Sequence, residues 1–233
     1  MAGIIAELLI SWLLLWGVEK KSLLALGLFP VGKRAAQLLS GFFLAALLCL
    51  ALQVLEKFIS ASNWVFNPHA TPAYIFSMFY WDLKSVLFEE LIFRGAILYI
   101  LLRRLGNRKG ILISAIAFGI YHWFSFGIFG NLVPMLVIFI GTGLMGYALA
   151  HAFSRTGSIA LPIGLHLGWN FTLNTIFSRG PLGDGLLLVK NGQLLSDYFS
   201  LIGLWLVPLV VLTCVYFFPA EQISTEKCDK ITF

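Results

Sequence analysis

Charge is scarce in this chain. Asp, Glu, Lys and Arg together make up 12% of its 233 residues, against about 25% in an average soluble domain. Cysteine is scarcer still: Cys49 and Cys214 fall in apolar stretches and Cys228 near the end. That spacing excludes a disulfide framework and a cysteine-built zinc site, and Cys228 stands too far from the last residue to be a prenylation box. Low-complexity tracts and internal repeats are missing, and so is any His-Glu-x-x-His zinc-protease motif. What is abundant is apolar surface, at 59% of residues. The composition is that of an integral membrane protein. The net charge of +5 does not point to nucleic acid, because the basic residues sit in short clusters at the ends of apolar runs, as topology signals and lipid headgroup contacts do.

Apolar runs long enough to cross a bilayer, about 20 residues each, lie near 3–18, 35–59, 72–102, 110–129, 131–152, 157–178 and 199–219. The predicted fold is all-α: a polytopic transmembrane bundle of about seven to eight spans, forming one integral membrane domain over 1–233 with a catalytic core near 80–178. The third run is too long for one upright helix. It predicts an interfacial helix followed by a span, or one strongly tilted helix; Asp82 and Lys84 are expected to mark a helix break, with the border of a substrate channel as the alternative. Residues Met1 to Val18 lack a basic leading region, which predicts a retained anchor rather than a cleaved signal. With the N-terminus outside, one side of the membrane holds Lys20, Lys21, Lys33, Arg34, Arg103, Arg104, Arg108, Lys109, Arg155, Lys227 and Lys230. The other holds Lys57, Arg179 and Lys190. The imbalance predicts that the first side, with the C-terminus, is cytoplasmic.

Three patterns place polar groups inside these runs: Glu89-Glu90-x-x-x-Arg94, Phe118-x-x-x-His122 and His166-x-x-x-Asn170. A charged group at mid-bilayer costs roughly 2.5–3.5 kcal/mol on insertion scales. At 1.5 Å per helical residue from the basic clusters, Glu89 and His122 lie about 20 Å deep and His166 about 16 Å. Patterns on three spans thus reach one depth, as a single site requires. Glu90 and Arg94 share a helix face and can pair, which leaves Glu89, about 100° further round, as a free carboxylate suited to act as general base. A carboxylate with a neutral imidazole can hold and deprotonate a water, and an imidazole with a carboxamide can donate to an oxyanion. Amide hydrolysis is then possible without a nucleophilic Ser or Cys.

In this order on successive apolar helices, the three patterns resemble the CPBP family, which includes the type II CAAX prenyl proteases and bacterial relatives called abortive-infection or bacteriocin-processing proteins. The resemblance covers about residues 80–178. It implies that Glu89 activates the water and His122 helps to hold it, that His166 and Asn170 form the oxyanion site, and that Glu90 and Arg94 support the Glu89 helix. The implied activity is an intramembrane endopeptidase of the glutamic type with no cofactor, acting in the lipid bilayer on a membrane-associated protein or peptide and not on nucleic acid. A compact chain of this kind suits a bacterial cytoplasmic membrane. A zinc-dependent protease is the alternative, with Glu89, His122 and His166 as the ligands and water as the fourth. Two other classes compete: a transporter, which would typically show inverted repeats, and a non-enzymatic immunity or scaffold protein with a decayed site. Gly141-x-Gly143-x-x-Gly146 spells a dinucleotide fingerprint, but within an apolar span it reads as close helix packing.

Overall fold

A computed structural model describes residues 2–193, 195, 199 and 201–221, so Lys227, Cys228 and Lys230 lie outside the described residues. The described chain is mostly helical. Helix α1 (Ala2–Leu14) continues as a π turn over Leu15–Glu19, followed by a short 3-10 turn at Leu23–Leu26. The remaining helices are α2 (Val31–Ser60), α3 (Pro72–Arg94), α4 (Ala96–Ser125), α5 (Leu132–Thr156), α6 (Ala160–Asn170) and α7 (Val207–Tyr216). A π turn over Phe171–Ile176 extends α6, and another over Ile202–Leu206 leads into α7.

Local chemistry sets several boundaries. Thr71 caps α3 by accepting from the Tyr74 amide, and Pro72 fills the first helical position, where its missing N–H costs nothing. Gly157 ends α5 in the left-handed conformation, its amide bonded to the Phe153 carbonyl, as C-terminal glycines do. Within α4, Gly106 adopts φ 79° and ψ 166°, and the chain folds back there so that the Ser114 hydroxyl donates to the Phe93 carbonyl at 2.9 Å. The third apolar run is therefore divided at Gly95, between α3 and α4. Asp82 and Lys84 do not break it: α3 is continuous through both. Asp82 is fully buried, and Lys84 lines a cleft of about 330 Å³ between α1 and α3 with Trp81, Ser85 and Phe88.

The fold is not purely helical. β1 (Asn63–Phe66) pairs antiparallel with β2 (Leu187–Lys190), capping one end of the bundle. Arg179 pairs with Glu56 at that end. At the other end, Glu19 meets Arg103 and Arg104, and Glu221 meets Lys33 and Arg34. By length and composition, three helices among the described residues qualify as membrane spans: Ala2–Glu19, Val31–Ser60 and Leu132–Thr156. That count stands at three, against the seven to eight expected. The difference follows from the helices that carry the polar patterns: α3 is charged along its inner half, α4 is broken among its arginines, and α6 is short. Phe43, Leu47, Leu132 and Leu136 lie exposed on α2 and α5. Apolar surface of this extent suits contact with lipid rather than water.

The tightest helix contact is between α2 and α6. A Cβ on Gly164 would lie 2.1 Å from the Leu38 carbonyl oxygen, and one on Gly168 2.1 Å from that of Phe42. Close backbone approach at small residues is how helices associate in lipid, and here it seats the turn of α6 that carries His166. Gly164→Ala must push α6 away from α2. Since a 1 Å misplacement can cost about 10²-fold in rate, any activity that depends on His166 is expected to fall by roughly that factor per folded molecule. Gly143→Ala, whose Cβ meets nothing closer than the Ala115 carbonyl at 3.8 Å, is expected to behave as wild type. Equal behaviour of the two variants would show that α6 placement is not glycine-dependent.

Glu221 clasps the stretch that follows α7 onto the bundle. It accepts from Arg34 and Gln37, and Arg155 Nε donates to the Phe218 carbonyl at 2.6 Å. Burial alone would raise the Glu221 carboxyl, but Lys33 and Arg34 outweigh it and hold the group below the ordinary value of 4.5. A depressed folded-state value means that the clasp contributes in full above pH 4.5 and is lost as pH falls further. The difference in thermal midpoint between wild type and Glu221→Gln should therefore be constant from about pH 7 to 5 and shrink below about 4.5. A difference unchanged at about pH 4 or below would mean that the charge is not what holds that stretch.

Candidate active site

Helix α3 supplies the acidic part of the site. Glu90 and Arg94 have fully buried side chains and pair at 3.1 Å, as their four-residue spacing predicts. Arg94 is held on two further sides. Its Nη2 donates to the Gly146 carbonyl at 3.4 Å, and its guanidinium lies 4.1 Å from the centre of the Phe118 ring. Gly146 is thus a packing position, as its sequence context suggests, since a Cβ there would meet Phe118 at 3.0 Å.

His166 joins the two carboxylates, a link the sequence did not disclose. Its Nδ1 lies 2.8 Å from Glu90 Oε1 and its Nε2 3.9 Å from Glu89 Oε2. Because Glu90 Oε1 already accepts from Arg94, it is an acceptor toward the ring as well, so Nδ1 carries a hydrogen. Glu89 Oε2 is buried and accepts no hydrogen bond from the described residues. It is the free carboxylate expected from the sequence.

His122 stands on α4 with Nδ1 2.7 Å from the Phe118 carbonyl. A carbonyl can only accept, so this ring too is anchored through Nδ1–H, leaving Nε2 as a lone pair. The Phe118 ring lies 4.4 Å from the His122 ring and 6.2 Å from the His166 ring. Phe118 therefore spaces the two imidazoles and covers Arg94 at once. Asn170 lies one turn beyond His166 on α6, half-buried, and its carboxamide makes no hydrogen bond to the described residues. The structure thus draws Glu89, Glu90, Arg94, Phe118, His122 and His166 into one cluster, with Asn170 on the same helix face as His166.

Other residues near this cluster were missed by the sequence reading. Asp82 accepts from Asn174 Nδ2 at 2.7 Å and from Thr175 Oγ1 at 2.8 Å. Asp82 was visible as a charge inside an apolar run, but partners 92 and 93 positions away leave no local signal. Glu7 on α1 buries both carboxylate oxygens without a partner among the described residues. Among the described residues, no three His, Cys, Asp or Glu side chains gather in a way that could hold a metal ion.

No curated protein and no solved structure matches the chain. Residues 71–172 match the family model described as type II CAAX prenyl endopeptidase Rce1-like, and that segment contains the whole cluster from Glu89 to Asn170. Together with the apolar helices, the match points to an integral membrane protein. Over residues 71–172 the chain is similar to the type II CAAX prenyl endopeptidases that the Rce1-like family model describes.

Proposed function

We propose that this protein is an intramembrane endopeptidase of the glutamic type that cleaves a membrane-associated protein or peptide. The observation that carries the reading is the free Glu89 carboxylate beside a histidine braced by the Glu90–Arg94 pair. In this mechanism a water sits between Glu89 and the Nε2 lone pair of His122. Glu89 takes one of its protons as the water oxygen attacks the peptide carbonyl. Asn170 Nδ2 donates to the resulting oxyanion. His166 donates as well, through Nε2, in its doubly protonated form, since its Nδ1–H is committed to Glu90. When the carbon–nitrogen bond breaks, Glu89 returns the proton to the leaving amine. Donors fixed before the reaction need not reorganise during it, and the braced ring meets that condition.

The same reading includes topology. Eleven basic residues on one side against three on the other support an external N-terminus and a cytoplasmic C-terminus in a bacterial cytoplasmic membrane. A zinc-dependent reading has one feature in its favour. Both histidines are anchored through Nδ1 with Nε2 free, which is how metal-binding imidazoles are oriented. No step is assigned to a metal. Activity that survives dialysis against a strong chelator separates the two readings.

The test compares new protein N-termini in membranes from cells expressing wild type or Glu89→Gln at equal levels. Peptide ends present with wild type alone would establish proteolysis and name the substrate. Identical sets across several growth conditions would move the assignment to a transporter or a scaffold.

A further inference from the structure

The catalytic reading above uses two helices, α3 and α6, that must be held in register for Glu89 to face His166 and Asn170. The Glu90–His166 bond is one tie between them. A second, independent tie lies on the far side of Asn170. There α6 gives way to the π turn Phe171–Ile176. Such turns interrupt regular helical bonding and often occur at functional sites. Asn174 and Thr175 of this turn both donate to Asp82, which is fully buried two helical turns before Glu89 on α3.

The turn is fixed from outside as well. The Thr175 carbonyl accepts from the Leu186 amide at 2.8 Å, a Cβ on Gly185 would lie 2.2 Å from that carbonyl oxygen, and one on Gly180 would lie 2.1 Å from Asn174 Oδ1. A carboxylate carried this deep into an apolar span is costly, and helix packing alone would not require it. Its two acceptor oxygens are matched by two side-chain donors from one turn, close to the residue assigned to the oxyanion.

We propose that Asp82 is a positioning residue for the hydrolysis, acting through Asn174 and Thr175 to set the Asn170 carboxamide and the His166 ring against Glu89. The proposal rests on the glutamate reading above. It also makes a chemical prediction about polarity. In the exchanged pair Asp82→Asn with Asn174→Asp, the new amide oxygen accepts from Thr175 and the new amide nitrogen donates to the carboxylate, so the first bond is kept and the second is restored in reverse.

Two measurements test it on the full-length protein in liposomes. Backbone hydrogen exchange over residues 166–176 should rise in Asp82→Asn, stay unchanged in α7, and return to wild-type values in the exchanged pair. Cleavage of a quenched fluorescent prenylated CAAX peptide, counted per folded molecule, should show kcat reduced roughly 10- to 100-fold in Asp82→Asn with KM little changed. The exchanged pair should recover most of that rate. Asp82→Asn should also cost little more when added to Asn170→Ala, because residues acting through one another are not additive. A purely structural contact would lower the folded yield and leave kcat and this coupling untouched. Unchanged exchange in the π turn, full additivity with Asn170→Ala, or a wild-type kcat in Asp82→Asn beside an inactive Glu89→Gln would overturn the proposal. Undiminished cleavage by Glu89→Gln would instead overturn the glutamate reading.

Discussion

Glu89→Gln is expected to lower the rate of peptide cleavage by roughly 10²–10⁴-fold, the range that a positioned general base contributes, while the protein still inserts and folds. The substitution keeps the shape of the side chain and an oxygen that can accept a hydrogen bond. It removes the ability to take a proton from water and return it to the amine. Structure argues that folding will tolerate the change. Glu89 Oε2 accepts no hydrogen bond from the described residues, and the imidazole nearest it, His166 Nε2, stands at 3.9 Å. Glu90→Gln provides the contrast, because Glu90 is bonded to both Arg94 and His166 and its neutralisation should cost folded protein as well as activity. Single-turnover cleavage in liposomes, with folded protein counted separately, distinguishes the two. Loss of activity by Glu89→Gln only in proportion to its folded yield would remove Glu89 from the chemistry.

The difference between these neighbouring glutamates also marks what a linear reading can reach. Glu90 and Arg94 are four residues apart, so their pairing follows from helical geometry alone, and the free position of Glu89 follows from the rotation between adjacent residues. That His122 and His166 come to the same place was legible from depth, because the bilayer gives the sequence a ruler that soluble proteins lack. The bond from His166 to Glu90 was not legible: it spans 76 positions and depends on the rotation of α6, which is set by Gly164 and Gly168 against α2. Neither glycine stands out among the 22 in the chain. Asp82 misled for a related reason. Read locally, a charge beside Lys84 suggests a helix end; with Asn174 and Thr175 supplying donors, the helix runs straight through. The strands Asn63–Phe66 and Leu187–Lys190 are four residues each, too short to show a period of two. Span counting fails where function concentrates, since helices that hold a polar site are those whose composition looks least like a membrane span.

Removing Arg94 is expected to have the largest effect on folding. Taking one partner from a buried ion pair typically costs about 3–5 kcal/mol, because the remaining charge is left uncompensated. Here the loss also empties the space over Phe118 and frees the Gly146 carbonyl. Arg94→Ala should therefore sharply reduce the yield of folded protein and lower its thermal midpoint in detergent. Arg94→Lys should recover only part, since an ammonium is a point charge that lacks the planar fork of the guanidinium. The informative variant is Arg94→Ala combined with Glu90→Gln. With both charges gone, no buried carboxylate stands unpaired at this position, so folded yield should rise above that of Arg94→Ala alone. Activity should stay low, because the carboxamide introduced by Glu90→Gln offers His166 no negative charge and the ring loses the brace that fixes Nε2. Folded yield and activity then separate in one variant, as expected if the pair both stabilises the bundle and orients the imidazole. Normal folded levels for Arg94→Ala would show that lipid or water reaches Glu90, and the brace on His166 would then have to come from elsewhere.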